Sequence, residues 1–250
     1  WVEDQGRVVL RIGSREIPGT SVRRRALALL CYLLTRPGFS ASRDQVLDAL
    51  WPDQDPEQSV NSLHQTAYFL RRVFEPDFSE DLSPGYLNHN PEMLWLDDEL
   101  VDSRSSACQR LLDALSRPPN PREVDELSSA YKGSFALDFA YEDWASPYRE
   151  NLHAHFLETL ERAIQSDIEE GRLDRAMLLA RRVLVVDPDV DQIERTLLGL
   201  YRATGAHAAA AEQYGHYAIT VRRDLGAEPP SLAEIGGPEA PSPDKTVWWD

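Results

Sequence analysis

SVNSLHQTAYFLRR, residues 59–72, decides the fold of the first half of this chain. At about 100° per residue, Val60, Leu63, Ala67, Leu70 and Phe74 share one side of a helix running from about Gln58 to Phe74. Asn61, Gln65, Tyr68, Phe69 and Arg72 fall on the opposite side, with His64 and Arg71 on the flanks. Upstream, SRDQVLDALW (42–51) predicts another helix: Ser42 suits the N-cap, Gln45 completes a capping box, and Val46, Leu47, Leu50 and Trp51 give the buried stripe. PDQDPEQ (52–58) between them reads as a loop. Earlier still, Leu27, Leu30, Cys31 and Leu34 form the apolar face of a first helix that Pro37-Gly38 ends. GRVVLRIGSREIPG (6–19) alternates around a Gly-Ser turn, and GYLNHNPEMLWLD (85–97) offers two short strands around Asn-His-Asn-Pro. Hairpin, three helices and closing hairpin make a winged helix-turn-helix over residues 1–101.

After Asp102 no strand is expected. SRSSACQRLLDAL (103–115) and REVDELSSAYKG (122–133) predict helices on either side of a proline-rich break. Beyond Trp144 the chain is helical and repeats: Gly171 and Gly205 stand 34 residues apart, as do Ala176 and Ala210. That period is the tetratricopeptide spacing, with glycine in the turn and alanine where two helices cross. The expected architecture is therefore multidomain, α+β then all-α. A winged helix is followed by a tetratricopeptide-like helical repeat domain over residues 102–228 and a Pro/Gly-rich tail over 229–250. The tail closes on TVWWD, where Trp248 and Trp249 are candidates to dock on the body or on a partner.

The parts and their order resemble the Streptomyces antibiotic regulatory protein family, whose members join an OmpR/PhoB-type winged helix to a helical bacterial transcriptional activation domain. RRRALALLCYLL, SRDQVLDALWPD, NSLHQTAYFLRR and GYL carry the likeness in the first half. YKGSFALDFAYEDWASPYRENL, EEGRLDRA and LYRATGAHAAAAEQY with DLGAEP carry it in the second. The resemblance implies sequence-specific binding to double-stranded promoter DNA, usually as dimers on direct repeats. It also implies a second domain that governs activation or contacts a protein partner, with RNA polymerase or a regulatory domain as candidates. This chain departs from the pattern at Phe69, where a basic residue is usual, and in the wing, where NHNPE offers only His89 instead of Lys or Arg.

Residue chemistry supplies a reading set. Asn61 and Gln65 can pair bidentately with adenine, Arg72 with guanine or phosphate, and the edge of Tyr68 can meet a thymine methyl. His64, Arg71 and His89 flank that set, and Arg23, Arg24 and Arg25 form the densest positive patch. Arginines are poorly placed for the dipole at a helix start, so phosphate clamping is the attractive role for them. Against this stands a net charge of −16. Residues 1–102 hold 10 Lys and Arg against 17 Asp and Glu, a balance of −7 that leaves −9 for the remainder. Any nucleic-acid contact must therefore rest on local patches. The alternative reading is a protein-interaction module whose winged helix has lost DNA binding, with Tyr68 and Phe69 at a protein contact.

Other patterns carry less. DPDVDQIE (187–194) opens like a calcium loop but lacks the glycine and glutamate such a loop needs, and it falls on a turn where Asp would cap the next helix. The imidazoles of HAH (153–155) diverge on a helix. No metal or cofactor is expected, and no phosphate loop, nucleophile elbow or Cys–His pattern calls for an enzyme. Cys31 and Cys108 sit in helical runs and suit buried free thiols in a reducing cytoplasm. No apolar run is long enough for a bilayer. The chain opens on Trp1 and not on Met, which reads as a trimmed fragment.

Overall fold

A computed structural model of the chain describes residues 1–77 and 85–235. The contacts divide it into two compact units: Trp1–Ala114 with Ser129–Ala154, and Leu115–Ser128 with the chain from His155 onward. The first unit thus takes in residues well beyond the sequence boundary at Asp102.

Three antiparallel strands, β1 (Val2–Glu3), β2 (Val9–Ile12) and β3 (Arg15–Pro18), open the first unit, with β2 between the others. Helix α1 (Arg24–Leu34) follows, and every residue from Ala26 to Leu34 is buried, not one face as its periodicity implied. Neighbours cover it on all sides, so the polar face of an ordinary surface helix is missing. Helix α2 (Arg43–Leu50) starts with the expected capping box, Ser42 and Gln45 each bonding the other's backbone N–H. Helix α3 (Pro56–Phe74) begins inside the segment read as loop. Asp55 caps it by accepting from the Glu57 N–H, and Pro56 occupies the first turn, where its missing N–H is no loss. The closing hairpin is β5 (Leu87–His89) and β6 (Met93–Leu96), pinned at its turn by the Asn90 side chain. One strand escaped the sequence reading: β4 (Ser40–Ser42) pairs with β6 on its other side, giving the order β4-β6-β5.

The stretch after Ser129 completes this core. Phe135, Phe139 and Ala145 join the same apolar cluster as α1, and Arg149 ties their loop by donating to the carbonyls of Phe135, Phe139 and Ala140 at 2.9–3.2 Å. Trp144 is only half-buried, edge-on to Tyr32, while Phe135 and Phe139 are the sealed ones. Tyr141 is fully exposed. Beneath β1 lies a buried carboxylate. Asp4 accepts from the Ser105 N–H at 2.8 Å and the Ser105 hydroxyl at 2.6 Å, at the start of α4 (Arg104–Ala114). Tyr148 donates to the same hydroxyl. Burial pushes Asp4 up to about 6, against the pull of its Ser105 bonds.

The second unit takes most of α5 (Pro121–Ala130), the later part of α6 (Ser146–Glu169), and α7 (Leu173–Val186), α8 (Asp191–Ala203) and α9 (His207–Thr220). The repeat is visible in its turns. Gly171 and Gly205 both have φ of 74°, a left-handed value that an L side chain resists. Each is followed by the same closing bond, Arg172 N–H to Asp167 O at 2.7 Å and Ala206 N–H to Tyr201 O at 2.8 Å. Ala176 and Ala210 are buried, as the spacing predicts. At the first turn the buried Asp167 carboxylate receives Arg172 and Arg175 at 2.7 and 2.6 Å. At the α7–α8 turn, Val190 is the N-cap without a side-chain bond, and Asp187 accepts from the Asp189 N–H. The segment read as tail begins attached. Ile235 is buried against Leu198, Tyr217 and Val221, and the Pro230 carbonyl accepts from Tyr214. Trp248 and Trp249 lie outside the described residues. None of the described helices is long and apolar enough to cross a membrane.

Two outcomes test this account. Because Asp4 binds its proton more tightly folded than unfolded, its contribution to stability is present in acid and is lost as pH rises through about 6. Asp4→Asn keeps an acceptor for Ser105, so urea unfolding should show the variant gaining roughly 2–3 kcal/mol on the wild type between about pH 4 and pH 7. A gap that does not change with pH refutes it. In the helical unit, Ala176→Leu should overpack the crossing and cost roughly 1–3 kcal/mol, seen as a lowered melting temperature. Unchanged melting would show that the crossing has room.

Candidate nucleic-acid interface

Helix α3 is capped by Asp55 at its start, anchored at its C-terminal end and wet along one side. Ser59, Leu63, Thr66, Ala67, Leu70 and Phe74 are buried. Val60, expected in that stripe, is half-buried, and Ser59 and Thr66 take the space. Near the C-terminal end Arg15 donates to the Phe74 carbonyl at 2.8 Å, and Arg71 donates through Nε to Leu87 O at 3.1 Å, fastening α3 to β5.

The exposed row consists of Asn61, His64, Gln65, Tyr68 and Arg72. Tyr68 is 50% exposed, and the Arg72 guanidinium carbon stands 5.9 Å from its ring centroid. Phe69 does not share that exposure. It is half-buried, edge-on to Tyr68, with the Arg23 guanidinium 3.5 Å above its ring. The outward aromatic pair of the sequence reading is therefore a single outward tyrosine. Cation–π attraction and burial of the ring under an arginine stem hold Phe69 in.

The three arginines at the start of α1 are not three equal cations. Arg24 pairs with Glu142 at 3.1 Å and bonds the Asp138 carbonyl. Arg25 donates to the Leu50 carbonyl and lies over Trp51. The Arg23 side chain makes no hydrogen bond or ion pair among the described residues, while its backbone carbonyl accepts from the Leu27 N–H. Together with Trp51, Gln65 and Phe69 they line an open cleft of about 350 Å³. A second open cleft of about 240 Å³ runs between the start of α2, α3 and the closing hairpin, lined by Arg43, His64, Arg71 and His89 over Leu63, Ala67 and Leu94. The 3.6-residue turn puts His64 and Arg71 on one shoulder of the exposed row and Phe69 on the other.

All the sequence candidates on α3, at the start of α1 and at His89 thus come together around one helix. Arg43 was missed. The capping box marks it as the first residue of α2, but nothing local shows that it faces α3. His153 is accounted for otherwise, since its Nδ1 lies 2.9 Å from the Tyr131 hydroxyl.

Comparison with known proteins bears on the family and the fold. Residues 19–83 match the family described as transcriptional regulatory protein, C terminal, and residues 97–234, more than half of the chain, match the bacterial transcriptional activator domain. Regulatory protein AfsR of Streptomyces griseus is 26% identical over 225 residues, covering 89% of this chain and 23% of that protein. Its namesake in Streptomyces coelicolor is 26% identical over 218 residues, covering 83% and 21%. The chain thus spans less than a quarter of the length of these relatives. Among solved structures, Mycobacterium tuberculosis EmbR in complex with a low affinity phosphopeptide superposes with a TM-score of 0.60 at 17% identity, over 94% of this chain and 63% of that one, which is a likeness of fold. With the OmpR/PhoB-type segment in front and the helical segment behind, the chain belongs to the bacterial transcriptional activator domain family, in the arrangement of the Streptomyces antibiotic regulatory proteins.

Proposed function

We propose that this chain is the DNA-binding and partner-binding part of a cytoplasmic bacterial transcription regulator. Asn61, Gln65, Tyr68 and Arg72 read base edges in the major groove, and the two shoulders of α3 meet the phosphates on either side. The observation that carries this reading is an exposed polar row lying between two basic clefts, on a chain that is acidic overall. A helix in the major groove is flanked by a sugar–phosphate strand on each side, which is the pattern these clefts complement. Arg23 and Arg25 would serve one strand, and Arg71 and His89 the other. The helical repeats contact a protein partner, with RNA polymerase or a regulatory domain as the candidates, and two copies pair on direct repeats. None of these roles needs a cofactor or catalysis.

A second reading has its own support. Glu142 neutralises Arg24, Phe69 is covered, and on α3 Tyr68 is a large apolar group left outward, which also suits a protein contact. Salt-titrated binding to duplex DNA separates the two. Three or four phosphate contacts predict a slope of log K against log salt of roughly −3 to −4. Arg72→Ala should lower its magnitude by about 1 if Arg72 meets phosphate, or relax sequence preference at unchanged slope if it meets a base. Gln65→Ala should cost about 1–3 kcal/mol on the preferred site and little on random duplex. No binding at low salt by folded protein would leave the interaction module as the better reading.

A further inference from the structure

Residues 231–235, beyond the last repeat, form one helical turn that carries its own start signal. The Ser231 N–H and hydroxyl both donate to the Glu234 carboxylate, at 2.7 and 2.8 Å, and the N–H groups of Glu234 and Ile235 donate to the Ser231 carbonyl. Only one side of the turn is covered. Ser231, Ala233 and Glu234 are exposed and Leu232 is half-buried, while Ile235 is buried on a floor of Leu198 from α8, Tyr217 from α9 and Val221 just after it. The rim supplies donors. The Tyr214 hydroxyl donates to the Pro230 carbonyl, and Arg202 donates to the carbonyls of Ala233 and Ile235. These contacts ask little of the occupant's identity: two aliphatic side chains one turn apart fill the floor, and the rim holds main-chain carbonyls. Arg202 also stands where a cation suits the C-terminal end of a helix.

The floor needs a cover, and the present one is held weakly. Without the turn, Leu198, Tyr217 and Val221 form an apolar strip of the kind that marks a binding groove. The turn gains from burying two side chains but must fix the backbone of five residues, and these contributions are of similar size and opposite sign. One turn has no stability of its own in water. Next in the sequence come Gly236, Gly237 and Pro238, the residue types least suited to lengthen a helix. A helix of two or three turns covers the same floor with more of its order already in place. We propose that this groove of α8 and α9 is a docking site for an amphipathic helix of a partner protein, with aliphatic residues at i and i+3. Residues 231–235 are its resident occupant, which the partner helix displaces. The assignment rests on the partner contact proposed above for the helical unit, and it names the site and the chemistry of that contact.

The test uses the full chain, with a labelled peptide of residues 228–235 as the probe added in trans. In the wild type the Ile235 amide should exchange its hydrogen about a hundredfold or more faster than the amides of Leu197 and Leu198, because the turn opens locally while α8 stays folded. Ile235→Asp should empty the groove, and the probe should bind that variant saturably. The wild type should bind the probe several-fold more weakly, in proportion to the fraction of molecules whose groove is open. A probe carrying Leu232→Ala and Ile235→Ala should bind neither. If Ile235→Asp fails to fold, Ile235→Ala takes its place. Exchange at Ile235 as slow as in α8 overturns the displacement. No binding to the opened groove, or equal binding to variant and wild type, overturns the site. All three failures leave the partner contact of the helical unit standing, on another face. In a second arm RNA polymerase replaces the peptide. Tighter binding to Ile235→Asp than to the wild type supports the groove as its dock, and equal binding to both overturns that role. Polymerase that binds neither, beside a peptide that binds as expected, supports the groove and removes polymerase as the partner.

Discussion

Nine consecutive residues of α1, Ala26 to Leu34, are out of contact with water, and a helix with no wet side must be covered on every side. Each sealed leucine stabilises the fold by roughly 2 kcal/mol, provided that the cover is complete. The cover comes from far apart in the chain. Leu10 from the opening sheet, Val46 and Leu50 from α2, Leu63 and Leu70 from α3, Leu94 from the hairpin, and Phe135 and Phe139 from beyond α4 share its cluster. The winged helix by itself would leave part of α1 bare. This is the physical reason why residues that the sequence assigns to a second domain belong to the first compact unit.

The same demand explains the polar groups in that unit. Bringing the 129–154 segment and α4 against the first sheet buries Asp4 and the hydroxyls of Ser105 and Tyr148, which then satisfy one another. Asp4 also faces the N-terminal end of α4, where a carboxylate suits the helix dipole. In the helical unit, Asp167 plays a comparable part for Arg172 and Arg175, neither of which belongs to its own helix.

Acidity and the clefts beside α3 are reconciled by position. Repulsion between like charges falls off within about a Debye length, so a distant acidic surface does not cancel a local patch. What matters is which cations remain unspent near α3. The Glu142 partner of Arg24 comes from the segment that completes the core, so the demand for cover also trims the charge of the shoulder it touches.

Much of this was legible in local sequence. Ser42 with Gln45 gave a capping box, Gly171 and Gly205 gave a 34-residue repeat, and the spacing from Leu63 to Phe74 gave the orientation of α3, because caps, left-handed turns and helical periodicity are short-range effects. Other features were invisible because their causes are long-range. Strand β4 exists only because β6 pairs with it, and α1 is buried all round only because its second cover arrives more than a hundred residues later. Phe69 looked outward until Arg23 lay on it, and Arg24 looked free until Glu142 reached it. The sequence by itself determined which helices form and which faces they offer. Tertiary structure alone decided which charges stay unpaired, since an ion pair depends on side chains that only the folded chain brings within reach.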